Sequence, residues 1–133
     1  MEGRDGIAQD PQAALRRLVE GFARGDEQTL RAVLAPKLTA YVTNAEGGVD
    51  RVDGRDAYMR RLLSLKAREL SVGVTQSVGV APAQALAMVE IRARRQGRTL
   101  HNFAAFLARV EDRQVAELWM VEALPAYSDE FWR

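Results

Sequence analysis

The sequence predicts an α+β domain built from three N-terminal helices and a mostly antiparallel sheet. Apolar residues recur at helical spacing between residues 11 and 69, whereas beyond residue 70 they follow long extended segments. The breaks between these segments are short, and short connections join antiparallel strands. We therefore expect the order helix, helix, strand, helix and four strands.

Size and composition indicate a single domain. The chain has 133 residues, of which 47% are apolar, and this is enough for one core. We expect a flexible segment over residues 1–10 and one domain over residues 11–133.

Charge and composition also limit the possible partners. The 19 basic and 18 acidic residues nearly cancel, which leaves no strong field for nucleic acid or an anionic membrane. The apolar run 103–108 is six residues long, whereas a membrane span needs roughly 20. There is no cysteine, and residues 1–10 contain no apolar signal-peptide core. A cytoplasmic protein is expected.

Two helices are expected at the start. Pro11 begins the first with Asp10 as its N-cap, and Gly25 ends it. Asp26 then caps a shorter helix, which Pro36 interrupts. The first helix places its apolar residues on one face: Leu15, Leu18, Val19 and Phe22.

The remaining elements are one short strand, a third helix and four long strands. Strand-forming residues over 38–43 lead into a glycine-containing turn at 44–48, and Asp53 is the expected N-cap of a helix that ends near Glu69. Its apolar face contains Tyr58, Met59, Leu62, Leu63 and Leu65. The four strands are expected at 70–80, 85–95, 98–110 and 114–123.

Alternation separates the two faces of the strand at 100–110. The odd-numbered set includes Arg109, which favours solvent, so the even-numbered set faces the core. His101, the only histidine, belongs to the outer set, where a surface or interface role is expected and a catalytic role is the alternative. Because there is no second histidine and no cysteine, we expect no metal site.

Three segments resemble SnoaL-like proteins of the nuclear transport factor two-like superfamily. They are Phe22–Asp26 with the apolar residues that follow, Val52–Ala57, and Asn102 with Val115 thirteen residues later. The resemblance covers about residues 12–132. The chain departs from the family at the last hairpin, where Arg113 rather than glycine follows Asp112, and after the second helix, where Pro36-Lys37 replaces an aspartate that is frequent there.

The resemblance implies a cone-shaped roll in which a curved sheet wraps the helices and encloses an apolar pocket. Such proteins include isomerases, dehydratases, epoxide hydrolases, polyketide cyclases and non-catalytic binding modules, so the fold does not select a function. We expect no cofactor. The residues expected to line the pocket are Tyr41, Tyr58, Phe106, Leu118 and Met120. For the tyrosines, core packing is the alternative.

Glu122 and Asn102 are the candidate catalytic residues. The family's ketosteroid isomerase-like pattern implies that Glu122 faces inward, and an apolar pocket would raise the pKa of a carboxylate that acts as a general base or acid. Asn102 would orient a substrate carbonyl or a water molecule. The alternative is a rim carboxylate that is solvated or paired with an arginine.

Two functions remain open on these grounds. One is a cofactor-free acid–base enzyme on a small hydrophobic molecule, of isomerase, hydrolase or cyclase type. The other is a non-catalytic ligand-binding or dimerisation module. A homodimer through the outer sheet face is expected because Phe103, Leu107, Trp119 and Val121 form an apolar patch there. The aromatic tail 123–132 is expected to dock over the pocket mouth, on a partner subunit or along a sheet edge.

Overall fold

The computed structural model describes residues 10–65 and 68–133. Helix α1 spans Pro11–Arg24, with the Asp10 carboxylate accepting from the Ala13 N–H at its start and Gly25, φ 62°, at its end. Helix α2 spans Glu27–Val33 and is capped by Asp26. These helix starts and caps are as predicted. Residues 1–9 of the predicted flexible segment lie outside the described residues.

The strand after α2 begins earlier than predicted. Strand β1 spans Leu34–Thr43 and includes Pro36. Helix α2 ends before Pro36, as predicted, but the strand was expected only from residue 38. Pro36 is tolerated in β1 because the ladder is irregular between Leu34 and Thr39, where a missing N–H costs no regular hydrogen bond. Strand β2, Val49–Asp53, was not predicted, and it pairs antiparallel with β1.

Helix α3 is shorter than predicted and begins differently. It spans Arg55–Leu63, and the residue before it is Gly54, with φ 94°. Asp53 is therefore the last residue of β2 and not the helix cap. Glu69, where the helix was expected to end, belongs to the next strand.

The four long strands agree with the prediction to within a few residues. They are β3 Arg68–Ala81, β4 Gln84–Arg95, β5 Arg98–Glu111 and β6 Gln114–Glu122. The last hairpin places both Asp112 and Arg113 at positive φ, 51° and 65°. This conformation is typical of a type I′ turn, so arginine takes the place that glycine usually has.

The strands form one six-stranded sheet in the order β2-β1-β6-β5-β4-β3. Among the strands that the structure describes, β1 and β6 are the one parallel pair. The predicted fold class, a cone-shaped α+β roll, is confirmed. A fourth helix, α4 at Pro125–Trp132, was not predicted.

The core lies between α1 and the inner face of the sheet. Helix α1 contacts strands β3, β4, β5 and β6. Alternate residues of β5 are buried, as predicted for its even-numbered set. The largest fully buried apolar side chains include Leu15, Leu18, Leu30, Leu38, Leu100 and Leu118. Within 10–65 and 68–133, no helix has the length and apolar character needed to cross a membrane.

Candidate functional site

A cavity of about 250 Å³ lies between α1, α3, α4 and the inner face of the sheet. This volume is just below the roughly 300–1,000 Å³ of most ligand sites. Its wall is mainly apolar and includes Leu18, Phe22, Val72, Ile91, Phe106 and Met120. These residues reach one space because α1 presents positions four apart and the strands present alternate residues.

One end of the cavity is polar. Arg61, near the end of α3, contacts Asp50 of β2, with 3.2 Å between Nη2 and Oδ2. The Asn44 amide donates to the other Asp50 oxygen at 3.0 Å. The Asn44 hydrogen bond and then Arg61 lower the pKa of Asp50. All three residues line the cavity, so this end is charged and held by hydrogen bonds.

Glu122, the last residue of β6, also lines the cavity. Its backbone N–H donates to the Thr43 hydroxyl at 3.1 Å, and it pairs with Ala104 of β5. Burial raises the pKa of the Glu122 carboxylate, and the charge of Asp129 adds to the rise. A hydrogen bond from Ser128 and the charge of Arg61 oppose it. A carboxylate at an apolar wall with a raised pKa is suited to proton transfer.

Asn102 is not among the residues that line the cavity. It is 1% exposed, and its Nδ2 donates to the Leu124 carbonyl at 3.1 Å. Its Oδ1 accepts from the N–H groups of Leu124, at 3.2 Å, and Phe103, at 2.9 Å. Because both polar atoms of the Asn102 amide are hydrogen-bonded to backbone groups of Phe103 and Leu124, the structure does not support the predicted role of Asn102 in orienting a substrate.

The predicted pocket residues divide into two groups. Tyr58, Phe106 and Met120 line the cavity. Burial raises the pKa of the Tyr58 phenol, which keeps it protonated as a donor. Leu118 is fully buried in the core and does not reach the cavity. Tyr41 lies on the outer face because its neighbours Ala40 and Val42 take the inward positions of β1.

His101 lies on the outer face, as its position in β5 predicted. Its Nε2 is 2.7 Å from a Glu90 carboxylate oxygen, and this contact is the largest cause of the lowered pKa of Glu90. The histidine is half-exposed and does not line the cavity. In the part of the chain that the structure describes, no three His, Asp or Glu side chains converge as a metal site requires.

Sequence reasoning missed several polar residues of the site, among them Asn44, Asp50, Arg61 and Ser128. Arg61 lies three positions after Tyr58, so it shares a helix face with a predicted pocket residue. The Asn44 side chain accepts from Glu46 and Gly48, and an Asn before two glycines is a usable turn signal. Ser128 could not be placed, because α4 was not predicted.

Solved structures with the same architecture are similar along nearly the whole chain. Bal32a, from a soil-derived mobile gene cassette, aligns with a TM-score of 0.79 at 16% identity, over 91% of this chain and 95% of its own. A Mycobacterium tuberculosis LEH-like epoxide hydrolase aligns with a TM-score of 0.72 at 15% identity, over 90% and 87%. A candidate SnoaL-like polyketide cyclase from Jannaschia sp. CCS1 gives 0.73 at 14% identity, over 90% and 89%.

The chain has the nuclear transport factor two-like fold. The resemblance to SnoaL-like proteins that the sequence predicted is confirmed at this level. No family model matches the sequence. An uncharacterized protein of Mycobacterium tuberculosis is 29% identical over 121 residues, which are 89% of this chain and 92% of the relative. Because this relative is uncharacterized and no family model matches, the sequence comparisons suggest no activity for the chain.

Proposed function

We propose that this protein binds a small hydrophobic molecule in the cavity and that Glu122 acts on it as a general base or acid. One observation carries the proposal. The Glu122 carboxylate lies in the wall of an apolar cavity, and burial raises its pKa. A general base or acid works best when its pKa is near the working pH, and burial moves a carboxylic acid in that direction.

The chemistry that fits is proton transfer to or from a bound compound. The Tyr58 phenol, which burial keeps protonated, is a hydrogen-bond donor that could stabilise a developing oxyanion. Neighbours in fold include proteins described as an epoxide hydrolase and a polyketide cyclase, and both classes act on small organic molecules. An isomerase, hydrolase or cyclase step is thus in keeping with the site.

The general-base role of Glu122 can be tested without knowing the natural substrate. The protein is incubated with a panel of small apolar ketones in D2O, and deuterium entry at the carbon next to the carbonyl is followed by NMR. We expect exchange with the wild type, loss of it in Glu122→Gln, and loss of it in Val72→Phe, which fills the cavity. Glu46→Gln, at an exposed residue of the cavity mouth, is the matched control.

The outcomes of this assay distinguish an acid–base enzyme from a non-catalytic ligand-binding module. Exchange that survives Glu122→Gln rules out the general-base role. Saturable binding of a panel compound, blocked by Val72→Phe and without exchange, supports a non-catalytic ligand-binding module. The observation that favours this second candidate is that Asn102, the other predicted catalytic group, is used by the backbone of Leu124. If nothing binds, the ligand-binding proposal itself is wrong.

We also propose that two copies of the chain associate through the outer sheet face. Met88, Phe103 and Val121 lie on this face and are 41%, 44% and 54% exposed. Met88 and Val121 are both cross-strand partners of Ala105, so their side chains form one row. A second copy would remove this apolar surface from water. A cytoplasmic location stays a prediction.

A further inference from the structure

Arg61 is the one basic residue in the wall of the cavity, among the residues that the structure describes. The acidic residues of the same wall are Glu46, Asp50, Glu122 and Asp129. A guanidinium at a mainly apolar wall loses part of its hydration, and this costs free energy unless its N–H groups find acceptors. The acceptors of Arg61 therefore indicate what the cavity can hold.

One acceptor of Arg61 is a carboxylate that the fold holds in place. Arg61 Nη2 donates to Asp50 Oδ2 at 3.2 Å, and the other Asp50 oxygen accepts from Asn44 Nδ2 at 3.0 Å. Asn44 is itself fixed in the turn between β1 and β2, because its side-chain oxygen accepts from the Glu46 and Gly48 N–H groups. The β1–β2 hairpin thus fixes the position of the guanidinium.

Most of the guanidinium is left for a ligand. Within residues 10–65 and 68–133, Asp50 is the only group to which Arg61 donates a hydrogen bond. A guanidinium has several N–H donors in one plane, so a single bond to Asp50 leaves the others unused. Because Arg61 lines the cavity, these donors can reach an acceptor on a bound molecule.

Arg61 also lies near the two groups that the proposed function uses. Burial raises the pKa of Tyr58 and of Glu122, and the charge of Arg61 offsets part of both rises. Charge effects weaken with distance, so the guanidinium, the phenol and the carboxylate belong to one end of the cavity. Tyr58 and Arg61 lie three positions apart on α3, which places them on the same helix face.

The charges around Arg61 favour a neutral ligand. Asp50 balances the charge of Arg61, and Asp129 is paired with Arg133 at 2.8 Å. A carboxylate on the ligand would add negative charge to a wall with more acidic than basic residues, and an ammonium group would be repelled by the guanidinium. A carbonyl oxygen accepts a hydrogen bond without either repulsion.

We propose that the cavity takes an apolar molecule with a neutral carbonyl group, that Arg61 determines this specificity by donating to the carbonyl oxygen, and that Asp50 positions the guanidinium. The proposal rests on the proposed binding of a small hydrophobic molecule in the same cavity. It adds the group by which that molecule is oriented. With its oxygen at Arg61, the molecule has its apolar body against Phe106 and Met120 and its carbonyl end near Glu122.

The test compares ligands that share one apolar ring. A cycloalkanone, its methylenecycloalkane counterpart with C=CH2 in place of C=O, and a carboxylate and an amine on the same ring are titrated by NMR. The protein is Glu122→Gln, so that changes at Arg61 cannot act through the titration of Glu122. We expect the ketone to bind about tenfold more tightly than the alkene, because a hydrogen bond from a charged donor typically contributes this much. The carboxylate and the amine should bind more weakly than the ketone.

Two further changes in this background assign the preference to Arg61. Arg61→Met, which keeps an unbranched side chain without donors, should abolish the preference for the ketone. Arg60→Met is the matched control at an exposed position of α3 and should keep it. Asp50→Asn should reduce it, because a neutral amide holds a guanidinium less firmly than a carboxylate does.

A second measurement does not depend on a change at Arg61. In protein labelled with 15N-arginine, the ketone should shift the guanidinium resonances of Arg61, and the alkene should leave them in place. If Arg61→Met does not fold, these resonances decide the proposal. Unshifted resonances with bound ketone would overturn it.

The remaining outcomes separate this proposal from the general-base role. Ketone and alkene that bind equally well, or a preference that survives Arg61→Met, would overturn the role of Arg61 and leave the hydrophobic binding site in place. Tighter binding of the carboxylate or the amine would overturn the neutral ligand. An unchanged preference in Asp50→Asn would contradict the role of Asp50. If nothing binds, the proposed function fails and this proposal fails with it. Since each of these proteins lacks the Glu122 carboxylate, a failure of the deuterium-exchange assay has no bearing on the result.

Discussion

The phenol ring of Tyr41 stacks on the indole ring of Trp119 with 5.7 Å between ring centroids and 14° between their planes. The two residues are direct partners in the parallel pairing of β1 with β6. Trp119 is in turn opposite Leu107, and Leu107 is opposite Leu86. The outer face thus has a continuous apolar row across four strands.

If two copies of the chain associate through the outer sheet face, negative charges introduced on that face should prevent dimerisation. Phe103→Glu combined with Val121→Glu should give the mass of a monomer by light scattering, while the melting temperature stays near that of the wild type because both side chains are already half-exposed. Ala13→Glu combined with Gln28→Glu, at exposed positions of α1 and α2 away from the sheet, adds the same charge and is the matched control. If the variant with glutamate at positions 103 and 121 is still a dimer, the interface lies elsewhere. If the wild type is a monomer, the proposal of a dimer is wrong.

The raised pKa of Glu122 predicts a pH-dependent effect of its removal. The unfolded chain has the ordinary value of 4.5, and the folded chain a higher one, so the wild type loses stability as pH rises from about 4.5 through the folded pKa. Glu122→Gln does not titrate. Its melting temperature relative to wild type should therefore increase from pH 4 to pH 7. Glu20→Gln, on the exposed face of α1, controls for the substitution, and a difference that falls with pH would contradict the shift.

Replacement of Asn102 should be costly. Asn102→Ala removes a fully buried amide that bonds to the N–H groups of Phe103 and Leu124 and to the Leu124 carbonyl, which keeps only the Ser128 N–H as a partner. A loss of this kind typically costs about 2–4 kcal/mol. In a domain of this size we expect the melting temperature to fall by roughly 10 °C. Thermal unfolding monitored by circular dichroism measures this. A fall of only one or two degrees would mean that water replaces the amide.

Tyr127 offers a contrast between exposed and buried hydrogen bonds. Its hydroxyl accepts from the His101 N–H at 3.1 Å and donates to the Thr99 carbonyl at 2.8 Å, on the edge of β5 beyond the end of β6. The residue is 39% exposed, so water can replace the hydroxyl. Tyr127→Phe should cost less than about 1 kcal/mol by chemical denaturation. A loss as large as that of Asn102→Ala would show that α4 depends on this contact.

The long strands and the first two helices could be predicted because local signals agree there. Asp10, Gly25 and Asp26 are residue types that helix ends favour. Strands β3 to β6 are separated by well-marked turns, and apolar and polar residues alternate along them. Strand β2 was missed because Val49–Asp53 has charged residues on both faces and lies at the sheet edge. In such a strand, pairing with β1 decides the conformation more than its own residues do.

The candidate site was predictable only in part. Strand parity gives the inward direction of Phe106, Met120 and Glu122, because alternation is a local property. Alternation does not show how deep in the protein a residue lies. Leu118 was therefore predicted in the cavity wall, whereas it is buried in the core. The use of Asn102 by Leu124 depends on a helix with no strong apolar periodicity, which a single sequence does not reveal.

The place of β1 beside β6 has a consequence for biosynthesis. Strand β6, the parallel partner of β1, follows the other described strands in the chain, so a nascent chain exposes the edge of the β1–β2 hairpin until β6 has left the ribosome. Contacts so distant in sequence form slowly. Most of the core residues precede Glu122 in the chain, so a chain that is released before Glu122 would carry most of the core but lack the group proposed to act on the ligand.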